Sequence, residues 1–160
     1  MGAGIVRVMN NTNHTLHYHN TESGVKFDIG PKTDQYENND WIPSSDYKYD
    51  SLPSYSSGKS IQVSIADLTP MLVTNDGGKF SIVYPTENSG ETAQNRSGDV
   101  NSGWEYIIRM DQLEERTVKK AAMSIYKYEA PLGVTPGYIA LQLIQQAAPI
   151  VVLVLMAIFL

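Results

Sequence analysis

The chain has 160 residues, enough for one domain and an appendage, with no cysteine to staple it and a formal charge of −5. Its only basic pair is Lys119-Lys120, with Lys127 nearby. That is too little positive charge to track a phosphate backbone, so nucleic acid is excluded as a general partner. All 17 acidic and 12 basic residues lie at or before Glu129, and residues 130–160 carry none.

The N-terminus, "MGAGIVRVMNN", has no apolar run before a cleavage site and lacks the Ser/Thr of a myristoylation signal. A chain made without a signal peptide is expected, which leaves the sequons at Asn10, Asn13 and Asn95 as chance matches. The absence of cysteine fits a cytosolic origin.

Apolar residues at every second position mark half-buried strands. In chain order the candidates are "IVRVM" (5–9), "TLHYH" (15–19), "GVKFDIG" with Val25, Phe27 and Ile29 on one face, and "SIQVSIAD" with Ile61, Val63 and Ile65. They continue with "MLVTN" (71–75), "KFSIVYP", "WEYIIRMD" and "AAMSIYKYE" (121–129). The "NDGG" at 75–78 fits a tight hairpin. Two stretches rich in Ser, Asn, Gly and Pro, 31–58 and 85–103, read as long connections. "DQLEERTVKKAAM" (111–123) is rich in helix formers and reads as a loop or a single helical turn before the last strand. About eight strands with frequent turns predict an all-β, antiparallel β-sandwich over residues 1–129, with Trp104 in its core.

"APLGVTPG" (130–137) reads as a hinge, and residues 138–160 as a hydrophobic tail. As a helix the tail would span roughly 35 Å against a hydrocarbon core of about 30 Å. Thirteen of its residues are Leu, Ile, Val or Phe, which favours membrane insertion by about 4–8 kcal/mol. Gln142, Gln145 and Gln146 oppose it and share one helical face, so several helices would turn these amides toward one another or toward a pore. Three other readings stay open: an internal core helix, strands pairing with their own copies, and the shared dry core of a filament or shell.

"HTLHYH" holds all three histidines, and His17 and His19 share a strand face at a spacing that metal sites use. No third ligand completes a site, and a polar strand face explains them equally. "DWIPSSDYKYDSLPSYSSG" (40–58) concentrates Trp41, Tyr47, Tyr49 and Tyr55. Such amphipathic rings suit lipid head groups or sugar faces, and suit equally a loop folded over the sandwich edge. No nucleophile elbow and no phosphate-cradling glycine loop occurs, so no enzyme and no cofactor is expected.

The run from "IVRVMNNTNHTLHYHN" through "GKFSIVYP" to "GWEYIIRM" and "AAMSIYKY" resembles, in patches over residues 5–128, the β-sandwich of actinoporin-like cytolysins and related fungal proteins. The resemblance rests on strand order and aromatic loops. It implies that an aromatic region recognises choline lipids and that a detachable helix inserts as subunits assemble. The tyrosines at 47–55 would take the first part and the tail the second, although the family's helix is N-terminal and more amphipathic. The expectation is a non-enzymatic sandwich that attaches to lipid membranes and to copies of itself, with a pore-forming toxin as the fullest form. The alternatives are a filament or capsid subunit with bundled tails and a lectin-like recognition module.

Overall fold

The computed structural model describes residues 2–45, 58–86, 92–115, 118–129 and 153–159, with the backbone alone for 113–115, 118–120 and 153–159. The strands are β1 (Gly4–Asn11), β2 (Leu16–Asn20), β3 (Lys26–Ile29), β4 (Thr33–Trp41), β5 (Ile61–Ile65) and β6 (Met71–Asp76). They continue with β7 (Lys79–Pro85), β8 (Thr92–Asp99), β9 (Glu105–Glu115), β10 (Val118–Lys127) and β11 (Leu153–Phe159). One sheet runs β10-β9-β1-β4, with β11 added outside β10; the other runs β3-β2-β5-β6-β7-β8. Every described pairing of the ladders is antiparallel except β1 with β9. The fold is all-β and sandwich-like, as the alternating patterns imply.

The core lies between the sheets because each strand turns its apolar set inward. Ile5 and Val8 of β1, Tyr106, Ile108 and Met110 of β9, and Ala121, Met123 and Ile125 of β10 meet Leu16, Tyr18, Ile61, Val63, Phe80 and Ile82 of the second sheet. Two ring contacts organise it. Tyr18 stacks on Phe27 at 4.5 Å, and Phe80 meets Tyr106 edge-on at 5.0 Å between the sheets. The Tyr106 hydroxyl donates to the Asp99 carbonyl at 3.0 Å, so the ring is buried with its polar tip satisfied.

Three sequence expectations need correction. The connections 31–58 and 85–103 contain β4 and β8. Both are outermost strands. An edge strand needs no apolar alternation, and charges along it discourage pairing with other chains. "TDQYENNDW" and "TAQNRSGD" are sequences of that kind and carry no periodicity to read. The stretch 111–123 belongs to a long β9–β10 hairpin, with Glu114 opposite Lys119 and Glu115 opposite Val118 in register. Helix propensity there yields to backbone pairing with neighbouring strands. Trp104 is 37% exposed rather than core, because it precedes the first residue of β9 at the open end of the sandwich.

The expected tail helix over 138–160 falls outside the described residues, apart from 153–159. There the backbone is strand β11, antiparallel to β10 with Leu153 opposite Ser124 and Phe159 opposite Val118. The hinge at 130–137 also lies outside the described residues. Among the described residues no helix is long and apolar enough to cross a membrane.

Local chemistry sets two details that matter for the site. The β6–β7 hairpin turns on Gly77 and Gly78 at φ 58° and 83°, the positive values that a two-residue turn with native twist requires. In β1, Ile5 faces Tyr106 and Arg7 faces Ile107, so Val6 is an extra, bulged residue. Without the bulge, Ile5 and Arg7 would share the inner face; the bulge turns Arg7 outward instead.

Candidate functional site

One end of the sandwich gathers the features that the sequence singles out. Gly4 of β1 lies between Trp41 at the end of β4 and Glu105 at the start of β9. The Trp104 carbonyl accepts the Gly4 N–H at 2.8 Å. Trp41 is 39% exposed and Trp104 37%. Lys127, at the end of β10, places its ammonium 3.5 Å from the Trp104 ring centroid, a cation–π contact that holds the indole at the rim. With Tyr36, these are the exposed large apolar side chains among the described residues. All three belong to the first sheet or its rim.

Trp41 is held as well as exposed. Its indole N–H donates to Glu22 Oε2 at 2.8 Å, and the Lys59 ammonium pairs with Glu22 Oε1 at 3.0 Å. The indole hydrogen bond first, and then Lys59, hold the Glu22 carboxyl below its ordinary range. A depressed folded pKa means that this tether is present above the unfolded carboxyl value of about 4.3 and is lost as pH falls through the folded one. The Trp41 indole N–H resonance is therefore expected to hold its position from neutral pH down to about 5 and to move only in stronger acid; a shift centred near neutrality would refute the tether.

Beside Trp41 lies a cleft of about 410 Å³, lined by Gly2, Ala3, Glu22, Ile42, Ser44, Asn75 and Ser102. Three local devices shape it. Ser44 bridges Asn75, and the Ser45 N–H donates to the Asn75 carbonyl at 2.8 Å. Asn75 Oδ1 accepts the Gly78 N–H at 2.9 Å, which ties the β6–β7 turn to this wall. Behind it stands the buried Asp40, which accepts from Tyr18, from Asn20 Nδ2 at 2.6 Å and from Ser23 Oγ at 2.7 Å. Burial first, then the Asp40 charge, hold the Tyr18 phenol protonated far above its ordinary value. Asn20 Nδ2 also donates to the Trp41 carbonyl at 2.7 Å, so this network joins the two sheets at a residue that lines the cleft.

The outer face of the first sheet carries a second polar group. Arg7, with a side chain only 5% exposed, pairs with Asp34 and lies 4.8 Å from the Tyr36 ring centroid. Its Nη1 and the Tyr128 hydroxyl have no hydrogen-bond partner among the described residues. Burial first, then Glu105 and Tyr36, raise the Tyr128 phenol above its ordinary value.

Of the sequence candidates, Trp41 is at the cleft. Tyr47, Tyr49 and Tyr55, and Gln142, Gln145 and Gln146, lie outside the described residues. Ser45 and Lys59, close to either end of the tyrosine segment, both anchor beside the cleft through Asn75 and Glu22. His17 Nδ1 sits 2.7 Å from Asp28 across the β2–β3 pair, and His19 lies opposite Lys26. Among the described residues no three His, Asp or Glu side chains converge as metal ligands. Glu22, Ser44 and Asn75 were not legible as a site, since they sit on separate turns that only the topology brings together. Compared with known protein families, curated proteins and solved structures, the chain matches none.

Proposed function

We propose that this is a non-enzymatic β-sandwich that attaches to membranes by its aromatic end and associates with copies of itself. One observation carries the reading. The described residues that flank the uncharged stretch 130–152 lie toward the end that bears Trp41 and Trp104: Tyr128 beside Glu105, and Leu153 at the end of β11 nearer to it. The Tyr128 N–H donates to the Glu105 carbonyl at 2.7 Å, and Leu153 returns opposite Ser124. Indole rings rank among the side chains most suited to the head-group region, and uncharged apolar chain to the layer beneath it. Trp41 and the tyrosines at 47, 49 and 55 would meet head groups, and residues 130–152 would enter the bilayer. Gln142, Gln145 and Gln146 would then face neighbouring copies, where pairing or water offsets the cost of burying amides in lipid. Pore formation is the fullest form of this reading.

Self-association has its own support. β11, "LVLMAIF", is the outermost strand of its sheet, and no described strand pairs with its second edge. The edges at β3, β4 and β8 carry charge, and β11 carries none. An uncharged, proline-free strand edge is a template for another chain. The same edge would serve a lipid-free filament or shell.

Flotation with liposomes tests the proposal. The full chain is expected to float with phosphatidylcholine vesicles, and Trp41→Ala with Trp104→Ala to weaken binding about tenfold or more at unchanged circular dichroism. Release of a trapped dye would add pore formation. A full chain that stays at the bottom of the gradient, or assembles into ordered particles without lipid, would replace this reading with the structural one.

A further inference from the structure

We infer that the cleft beside Trp41 is a saccharide site that takes a neutral hexopyranose ring. This deepens the membrane proposal and rests on its choice of the aromatic end as the recognition surface. Four properties of the cleft point to this ligand chemistry.

The first is a fixed flat platform. Trp41 presents an indole that is 39% exposed, yet its N–H is tied to Glu22 at 2.8 Å. A tethered aromatic ring loses little freedom when a ligand stacks on it, and the C–H face of a pyranose is the apolar surface that such a ring accepts. The second is acceptor capacity. Each Glu22 oxygen already takes one donor, from Trp41 and from Lys59, and a carboxylate has about four lone-pair sites. One acceptor position per oxygen therefore remains, enough for two ring hydroxyls.

The third is a pair of donors in the lining of the same cleft. The Asn75 Nδ2 group and the Ser44 hydroxyl line the same cleft, and neither has a hydrogen-bond partner among the described residues. The Asn75 amide is oriented by the Gly78 N–H on its oxygen, which assigns its nitrogen as the available donor. The fourth is charge. No Lys or Arg lines the cleft among the described residues, which disfavours an anion. Glu22 is already paired with Lys59, which removes the net negative charge that an organic cation would need. A neutral ligand with one apolar face and several hydroxyls satisfies all four. The cleft of about 410 Å³ also lies within the size range of small-molecule sites.

The same ring chemistry is presented by a free saccharide and by a glycolipid head group, and the test separates them. Saturation-transfer NMR is run on the full chain with the methyl glycosides of glucose, galactose, mannose and N-acetylglucosamine. Flotation is run in parallel with phosphatidylcholine vesicles, with and without galactosylceramide. Saturation is expected to reach the ring C–H protons of at least one glycoside and to shift the Trp41 indole resonance. Trp41→Ala is expected to weaken this binding about tenfold, Trp41→Phe to retain part of it, and His17→Ala, exposed on the β2–β3 pair and outside the cleft, to leave it unchanged. Flotation strengthened by galactosylceramide assigns the head group; a glycoside signal without any flotation assigns a soluble saccharide and removes the membrane reading. Vesicles that float while no glycoside and no glycolipid has an effect overturn the saccharide site and leave the membrane reading standing. Equal binding by Trp41→Ala, or displacement by inorganic phosphate, also overturns it.

Discussion

Asp40→Ala is expected to lower the free energy of unfolding by about 3–5 kcal/mol, read from urea denaturation at neutral pH. Asp40 is 5% exposed, and its carboxylate is the shared acceptor for Tyr18, Asn20 and Ser23. Ser23 lies toward the surface and can turn to water. Tyr18 and Asn20, at 1% and 0% exposure, cannot. An orphaned buried donor costs about 1–3 kcal/mol, and the lost inter-sheet tie adds to that. For a domain whose whole stability is about 5–15 kcal/mol, the loss is large. Asp40→Asn keeps one acceptor oxygen and is expected to cost about 1–2 kcal/mol. Trp41 is the next residue and its carbonyl is held by Asn20, so Asp40→Ala is also expected to broaden the Trp41 indole resonance. An Asp40→Ala protein within about 1 kcal/mol of the parent would show that this network does not join the sheets.

The second large effect belongs to the opposite end of the sandwich. Asn10, 2% exposed, donates from Nδ2 to the carbonyls of His14 at 2.7 Å and of Ile29 and Gly30 at 3.0 Å. Its Oδ1 accepts from the Thr12 N–H and hydroxyl. One amide thereby pins the β1–β2 turn to the β3–β4 turn. Asn10→Asp changes no volume, but it sets an oxygen against three carbonyl oxygens. At neutral pH it is expected to cost about 3–5 kcal/mol, more than the 2–3 kcal/mol or so of Asn10→Ala. The pH dependence distinguishes repulsion from lost packing. An introduced carboxyl that is disfavoured when ionised has a raised folded pKa. Its stability is therefore retained below the unfolded value and lost as pH rises through the folded one. Asn10→Asp should thus recover part of its stability near pH 4, while Asn10→Ala should not; parallel pH profiles would defeat the assignment.

Both residues were invisible as key positions in the sequence. Asn10 reads as part of a turn-rich "NNTN", and Asp40 as one more acid in a polar connection. Their importance comes largely from distant partners, the Ile29 and Gly30 carbonyls for Asn10 and Tyr18, Asn20 and Ser23 for Asp40, which a local pattern does not encode. The bulge at Val6 is of the same kind. The alternation of Ile5 and Arg7 implies one shared face, and only the register against β9 shows that Arg7 turns outward to Asp34 and Tyr36. The contrast between strands is physical too. β3, β5, β7 and β9 were legible because burial on one face forces alternation, as Ile61, Val63 and Ile65 show. β4 and β8 were not, because an edge strand held from one side can be polar throughout.

The amino-acid sequence by itself determined an all-β, sandwich-like domain ahead of residue 130, the inward sets of its central strands, the glycine turn between β6 and β7, and the segregation of every charge before residue 130. These follow from side-chain solvation and backbone sterics, which act over a few residues. Only the tertiary structure decided which strands lie at the edges, that residues 153–159 pair with β10, and that Glu22, Trp41, Ser44 and Asn75 enclose one cleft. Those outcomes depend on hydrogen-bond partners and packing between segments far apart along the chain, where the energy of a contact belongs to the pair and to neither residue alone.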